Sequence, residues 1–587
     1  MIRFMALHLK LTYLPFLVSF FLFNLPFAFS QNFEWITRSP SYGMSVQKGV
    51  TVPMSDGINL LVDIYLPADS VLKAAGEQFP VLLTQNPYAF MNEAPFLAYV
   101  DFYVKRGYIC VIAHNRGTNG SGGENKFLSL REQMDGLELV EWASKKLANS
   151  DGKIGLFGTS WLGFTQLLTA ARLPEGSPVK AMVPTYAGAY IYRDLTPGGI
   201  PSQSIFFPRD FDQPTMLNNE QATLFGKSMY ESWKGSGEVS LQSPFWEERE
   251  PIHYIDGIYK SKIPTLLVGG WRDLYPAGMS ELFSALQNAY AGKSPFEKME
   301  DTKNTTNTIQ MVMGNWGHYK GLNVEMTLAW YDKWLKGIPI EDFNLGGIYH
   351  SQDLITGDWY DFGGYPFTDN YKTLLLGQDL LSVKNNSNPR IKYGSRLTTS
   401  SSIDFRYAVD KADLILAGPG SIRLLASTSS KDMHFLVEVF DQSPSGELVR
   451  ITQGNILASM SSIDKEKSWY SKKALIKPFL KLDKREIIEA KKIYELEFPL
   501  SPVVATIKKG HQLLLRVSTQ SRSEDCQGNL GVFPCFPTEN QLNDLSEGEF
   551  TLHLNEKIKS GITLPLVQHK SLKISRKNYN STPNHPF

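Results

Sequence analysis

The chain of 587 residues has little cysteine, no net charge and few long apolar runs, and each shortage closes a class of function. Three cysteines are too few for a scaffold built on disulfides. No Cys/His cluster has metal-ligand spacing and no H-E-x-x-H occurs, so no metal centre is expected. Lys plus Arg and Asp plus Glu number 59 each. No basic run or aromatic-plus-basic stripe is present, which argues against a nucleic-acid partner. After residue 30 no segment approaches the roughly 20 apolar residues of a membrane span. Repeats and long low-complexity tracts are absent as well. What the chain does have is a 42% hydrophobic content, enough for a large core shared among roughly two to four domains.

Residues 1–30 read as a secretory signal. Arg3, His8 and Lys10 make a weakly basic start, Leu11 to Phe29 is apolar, and Ala28-Phe29-Ser30 fits a cleavage site before Gln31. A retained N-terminal anchor is the alternative. The mature chain is expected to be exported, periplasmic or secreted, and soluble. In that setting Cys526 and Cys535, which flank a Gly-containing loop, suggest a local disulfide, against the alternative of two free thiols. Cys110 sits in an apolar strand and reads as a buried thiol.

The pattern along the chain predicts an α/β protein with a second, all-β part. Ser45 to Leu66 alternates as short antiparallel strands do. Phe79–Thr84, Gly107–Ala113, Ile154–Phe157, Val179–Pro184, Ile263–Gly270 and Thr308–Met313 are short apolar runs of the buried parallel type, the last of them the expected end of the sheet. Helices are expected over Phe96–Lys105, Gln133–Leu147, Trp161–Ala171, Pro276–Tyr290 and Val324–Leu335, giving a doubly wound sheet. Residues 191–257, rich in Pro, Gly and aromatics with helical pieces near Asn218–Gly235, interrupt that rhythm as an inserted cap. The core is thus expected over 31–190 and 258–345. From 346 to 587 short strands predominate (Thr373–Leu376, Leu414–Ala417, Ser421–Ser427, His434–Phe440, Tyr494–Pro499, His511–Val517, Glu549–Leu554), predicting a jelly-roll β-sandwich.

The stretch Lys153 to Phe164 carries the chemistry. A strand, a turn with Ser160 at its apex and a helix make a nucleophile elbow, although the fifth residue of G-x-S-x-G is Leu162 and the glycine follows at Gly163. A serine nucleophile needs a base and a carboxylate to orient it. In an α/β-hydrolase these follow in the order Ser, Asp, His, each at the C-terminal end of a strand. Asp273 and His318 meet both conditions. His114 precedes Ser160, His253 lies in the insertion, and His350, His434, His511, His553 and His569 lie in the β-rich part. Asp256 precedes its strand and Glu281 sits on the following helix. The Trp161 backbone N–H is one candidate oxyanion donor. The loop Thr84 to Phe90 lacks an H-G-G-G motif, and its Tyr88 is either the second donor or an ordinary loop aromatic.

Gly158-Thr-Ser-Trp-Leu-Gly163, Asn86-Pro-Tyr88, Asn115-Arg-Gly117 with Gly122-Gly-Glu124, Gly269-Gly-Trp-Arg-Asp273 and Gly314-Asn-Trp-Gly-His318 together resemble the cocaine-esterase/X-prolyl dipeptidyl-peptidase (CocE/NonD) family. That family also includes α-amino-acid ester hydrolases and glutaryl acylases. The resemblance takes in Ser243-Pro-Phe-Trp246, and the displaced elbow glycine is the family's form. It implies an α/β-hydrolase domain with a helical cap and a C-terminal jelly roll. It also implies Ser160, Asp273 and His318 as triad, with Tyr88 and Trp161 as oxyanion hole. Where relatives that act on α-amino-acid esters carry acidic residues past the triad Asp, this chain has Leu274, Tyr275 and Pro276. Where relatives often read Ser-Ser-x-Phe-Pro-Arg, it has Thr519 to Cys526.

The expectation is therefore an exported serine hydrolase that cleaves an ester or amide of a small-molecule or short-peptide acyl substrate, with no cofactor. An X-prolyl dipeptidyl-peptidase is the alternative among enzymes. An inactive protein that binds a glycan or a partner is the alternative from another class.

Overall fold

Apolar runs bounded by Gly and Pro become strands buried on both faces, and these build the centre of the molecule. The computed structural model describes Trp35 and residues 38–580. Excepted are 70–75, 90–93, 201–236 (where only Ser228 and Ser232 are described), 301, 319–320, 340–346, 383–389, 394–401, 520–547, 555–556, 558, 576 and 578. The expected signal segment, the helical pieces of the insertion and the Cys526/Cys535 pair lie outside the described residues.

A ten-stranded sheet is formed by β1 (Gly43–Pro53), β2 (Asn59–Ala68), β3 (Phe79–Asn86), β4 (Ile109–His114), β5 (Ser150–Thr159), β6 (Val179–Thr185), β7 (Thr265–Gly270), β8 (Ile309–Gly314), β9 (Tyr349–Gln352) and β10 (Trp359–Phe362). Its order is β1-β2-β4-β3-β5-β6-β7-β8-β9-β10. Pairing is parallel from β4 to β9 and antiparallel at both edges. Every residue of β3, β4, β7 and β8 is buried. Because side chains alternate across a strand, β3 feeds two cores. Val81 and Leu83 join Leu139 of α2 (Leu130–Lys145) and Leu167 of α3 (Trp161–Ala170). Leu82 joins Tyr103 of α1 (Ala94–Val104) and Trp330 of α5 (Val324–Lys336). With α4 (Pro276–Tyr290) on the face of α2 and α3, this is an α/β-hydrolase fold. Of the inserted segment, the described parts are short helical turns such as Tyr192–Leu195, Pro244–Glu247 and Pro251–Tyr254.

The expectation that the sheet ends with the strand near 308–313 is corrected: β9 and β10 extend it. The sequence Tyr-His-Ser-Gln of β9 has no apolar run, yet all four residues are buried. Its polar content is absorbed across the hairpin, where His350 Nδ1 meets Asp361 Oδ1 at 2.7 Å.

Beyond residue 370 the chain forms a jelly-roll type β-sandwich of two antiparallel sheets. One holds β11 (Tyr371–Leu375), β13 (Arg390–Tyr393), β15 (Leu414–Thr428), β20 (Tyr494–Ile507), β22 (Gly548–Leu552) and β23 (Gly561–Val567). The other holds β12 (Leu381–Ser382), β14 (Ile403–Ala408), β16 (His434–Gln442), β17 (Leu448–Leu457) and β21 (Gln512–Ser518); β18 (Trp469–Ser471) and β19 (Ala474–Lys477) form a hairpin. The two expected strands Leu414–Ala417 and Ser421–Ser427 are one, β15, with a bulge at Gly418/Gly420.

Candidate active site

The elbow is a backbone feature before it is a side-chain feature. Ser160 has φ 62° and ψ −120°, which L residues rarely adopt and which costs about 1–3 kcal/mol. The surroundings hold it there. Its N–H donates to Thr185 O at 2.8 Å, and its carbonyl accepts from Gly163 and Phe164 as α3 begins. Two close approaches require glycine. A Cβ at Gly158, which has φ 134°, would lie 2.5 Å from Leu162 Cβ and 2.8 Å from Thr84 Oγ1. A Cβ at Gly163 would lie 2.7 Å from Thr185 O and 2.8 Å from Ala187 Cβ. Thus Leu162 can stand in the usual glycine position, and the glycine is needed one residue later, where α3 touches β6.

Asp273 and His318 follow β7 and β8 and meet each other. His318 Nδ1 lies 2.5 Å from Asp273 Oδ1, with both side chains buried. Asp273 Oδ2 accepts the Tyr275 N–H at 3.2 Å. Two tyrosines join this pair to the elbow. Tyr186, directly after Thr185, has its ring 5.4 Å from the His318 ring. Tyr275 lies 6.1 Å from His318 and 5.4 Å from Phe164 of α3. Burial, with the Asp273 charge adding, pushes the Tyr186 phenol well above its ordinary pKa, so it remains neutral beside the pair.

Tyr88 and Trp161 are also neighbours, their rings edge-to-face with centroids 6.0 Å apart. Asn86 Oδ1 accepts the Tyr88 N–H, and Asn86 Nδ2 donates to the Tyr88 carbonyl. The Trp161 backbone N–H stands in the first turn of α3, where no intrahelical acceptor exists. Both residues are buried, with Phe127 4.8 Å from the Trp161 ring on another side.

Among the histidines set aside, His114 lies 3.5 Å from Asp63, His253 3.6 Å from Glu250 and His511 2.8 Å from Asp441. A contact between a histidine and a carboxylate is therefore common in this chain. What distinguishes Asp273–His318 is its place after two adjacent parallel strands, beside the elbow. Sequence reasoning missed Tyr186 and Arg272. Tyr186 follows the end of β6, so the strand-end rule that selects Asp273 also points to it. Arg272 Nε donates to Asn315 Oδ1 at 2.7 Å and ties the Asp273 loop to the His318 loop. No local pattern marks that bond.

A family model described as X-Pro dipeptidyl-peptidase (S15 family) matches residues 56–320, and its C-terminal non-catalytic domain matches 351–524. The cocaine esterase of Rhodococcus sp. (strain MB1 Bresler) is 24% identical over 89% of this chain and 99% of that protein. Among solved structures, a CocE/NonD family hydrolase from Staphylococcus aureus aligns with TM-score 0.68 at 21% identity, covering 89% of this chain and 94% of its own. An α-amino acid ester hydrolase aligns with TM-score 0.67 at 17% identity, covering 93% and 100%.

Proposed function

The chain belongs to the cocaine esterase/X-prolyl dipeptidyl-peptidase (CocE/NonD) family of α/β-hydrolases, whose members are serine hydrolases, and from that premise we propose that it cleaves an ester or amide through an acyl-enzyme. The observation that carries this reading is the buried 2.5 Å contact of His318 Nδ1 with Asp273, beside a serine held at φ 62°. Ser160 Oγ attacks the carbonyl carbon, and His318 takes the hydroxyl proton. Asp273 fixes the imidazole orientation and stabilises the imidazolium. The negative charge on the carbonyl oxygen is met by the Trp161 N–H and the Tyr88 hydroxyl. His318 then returns the proton to the leaving alcohol or amine, and water repeats the sequence to free the acid. The acyl group carries no required ammonium in this reading, because Leu274, Tyr275 and Pro276 are apolar or uncharged and buried.

Export belongs to the proposal as well and is supported by the composition of residues 1–30. Among the described residues no helix is long and apolar enough to cross a membrane.

The test is Ser160→Ala. It should lower kcat by roughly 10³-fold or more and abolish labelling by a fluorophosphonate probe, with little change in thermal unfolding. A variant that retains its rate would remove the nucleophile assignment. Assay of the wild type against aryl esters, acyl-amides and Xaa-Pro anilides then separates esterase from dipeptidyl-peptidase.

A further inference from the structure

The end of the chain does not stay with the β-sandwich. After β23 it runs back to the edge of the hydrolase sheet. Asp361 N–H donates to Lys573 O and Ser575 N–H to Trp359 O, each at 2.8 Å, with a bridge between Tyr360 and Ile574. Tyr579 is buried and stacks on His350 with ring centroids 4.8 Å apart. It also packs against Trp359 at 4.8 Å and Trp35 at 5.8 Å.

The next residue, Asn580, reaches the loop that carries His318. That loop leaves β8 at Gly314 and enters α5 at Val324. Trp316 Nε1–H donates to Asn580 Oδ1 at 3.2 Å, and Asn323 Nδ2–H donates to the Asn580 carbonyl at 2.8 Å. Asn323 Oδ1 meanwhile accepts the Met326 N–H and caps α5. One residue thus holds both ends of the loop. Trp316 is also its joint with the Asp273 loop. The Trp316 carbonyl accepts the Arg272 N–H at 2.9 Å, and the indole is packed so closely on Gly314 and Gly321 that a Cβ at either would run into it.

We propose that Asn580 is a positioning residue for the reaction, fixing through Trp316 and Asn323 the loop on which His318 stands. The inference rests on the reading of His318 as the general base. The Asp273 contact orients the ring, but the loop backbone sets where its other nitrogen lies. A general base works only within hydrogen-bond reach of the proton it takes. A displacement of about 1 Å can cost roughly 10²-fold in rate.

The experiment uses the full chain and four variants: Asn580→Ala, Asn580→Asp, Trp316→Phe and the double variant Trp316→Phe/Asn580→Ala. An aryl acetate gives kcat and KM, and a fluorophosphonate probe gives the rate of Ser160 labelling. Asn580→Ala should lower kcat and labelling rate about tenfold, with KM within about twofold. Asn580→Asp keeps an acceptor oxygen for the indole and should recover most of the rate. The double variant should be no slower than the slower single variant, because both substitutions break one bond. Wild-type kcat in Asn580→Ala, no recovery in Asn580→Asp, or losses that multiply in the double variant would each overturn the inference. His318→Ala, run in parallel, separates the two readings. If His318→Ala is active, the base assignment falls; if it is inactive while Asn580→Ala is unimpaired, only the role of the tail falls.

Discussion

At the scale of single residues, Tyr88 shows how a side chain can be held for chemistry by its backbone. Asn86 bonds both its N–H and its carbonyl, Asn119 Nδ2 donates to the same carbonyl at 3.1 Å, and Pro87 restricts the approach. The ring is steadied edge-on against Trp161. Tyr88→Phe leaves these backbone bonds and the ring contact in place and removes the hydroxyl donor. A developing oxyanion with a single donor is poorly served. Loss of one such donor costs about 10²–10³ in kcat. KM should change less, since the bond strengthens mainly in the transition state. Steady-state kinetics on an aryl ester decide the matter: a Tyr88→Phe enzyme with near-wild-type kcat means another group completes the oxyanion hole. Ser160 is the complementary case, where the strain lies in the backbone and the substitution to alanine leaves the turn in place.

At the scale of elements, the elbow depends on how closely α3 lies on β6. Gly163→Ala puts a Cβ into the Thr185 carbonyl and Ala187, and neither the backbone nor a buried alanine can swing aside. Overpacking of this kind costs about 1–3 kcal/mol. It would also tilt Trp161, and with it the proposed oxyanion donor. The expected result is a lower Tm together with a kcat loss larger than a purely structural substitution brings; an unchanged Tm would show that α3 can slide. The same closeness explains what could be read in advance. Helix Pro276–Tyr290 has the expected bounds, and the central strands lie within a few residues of theirs, because apolar runs bounded by Gly and Pro admit little else. Asp273 and His318 were legible because strand ends are places, not patterns. Two strands of the sandwich, β17 and β23, were not legible. β17 buries Arg450, Gln453 and Asn455, and β23 includes Gly561 and Pro565, which a local reading treats as breakers. Long-range partners such as Asn580 lie beyond any local pattern, since nothing in Trp316 announces a residue near the far terminus.

At the scale of the whole molecule, the two halves share one core. The cluster containing Leu167 and Leu282 runs on without a break to Leu424, Leu496 and Leu564 of the sandwich. The join is also polar. Asp353, just after β9, accepts from the Thr506 hydroxyl at 2.6 Å on β20, and the Leu354 N–H donates to the Val504 carbonyl. The fold of the hydrolase half should therefore feel what happens in the sandwich, and His434 offers a way to see this. It is fully buried on β16, its Nε2–H donating to the Thr519 carbonyl at 3.2 Å with the Phe550 ring 5.5 Å away. Burial, which outweighs the hydrogen bond to Thr519, lowers its pKa to about 3. The unfolded chain, with an ordinary histidine pKa near 6.5, binds a proton there that the folded chain refuses. Below about pH 6.5 the unfolded state holds more protons, so stability falls with falling pH through the window from about 6.5 to 3 and is flat above it. One proton corresponds to about 1.4 kcal/mol for each pH unit. His434→Gln keeps a polar side chain and cannot take up the charge. Urea unfolding of the two proteins at several pH values cancels the contribution of every other titrating group. The stability difference between them should move in favour of His434→Gln by about 2 kcal/mol between pH 7.5 and 5. A difference that stays constant over that range would mean that His434 accepts its proton within the fold. If ester hydrolysis is lost along the same urea curve as the sandwich signal, the two halves unfold as one unit; hydrolysis that survives the sandwich transition would show that the shared core does not couple them.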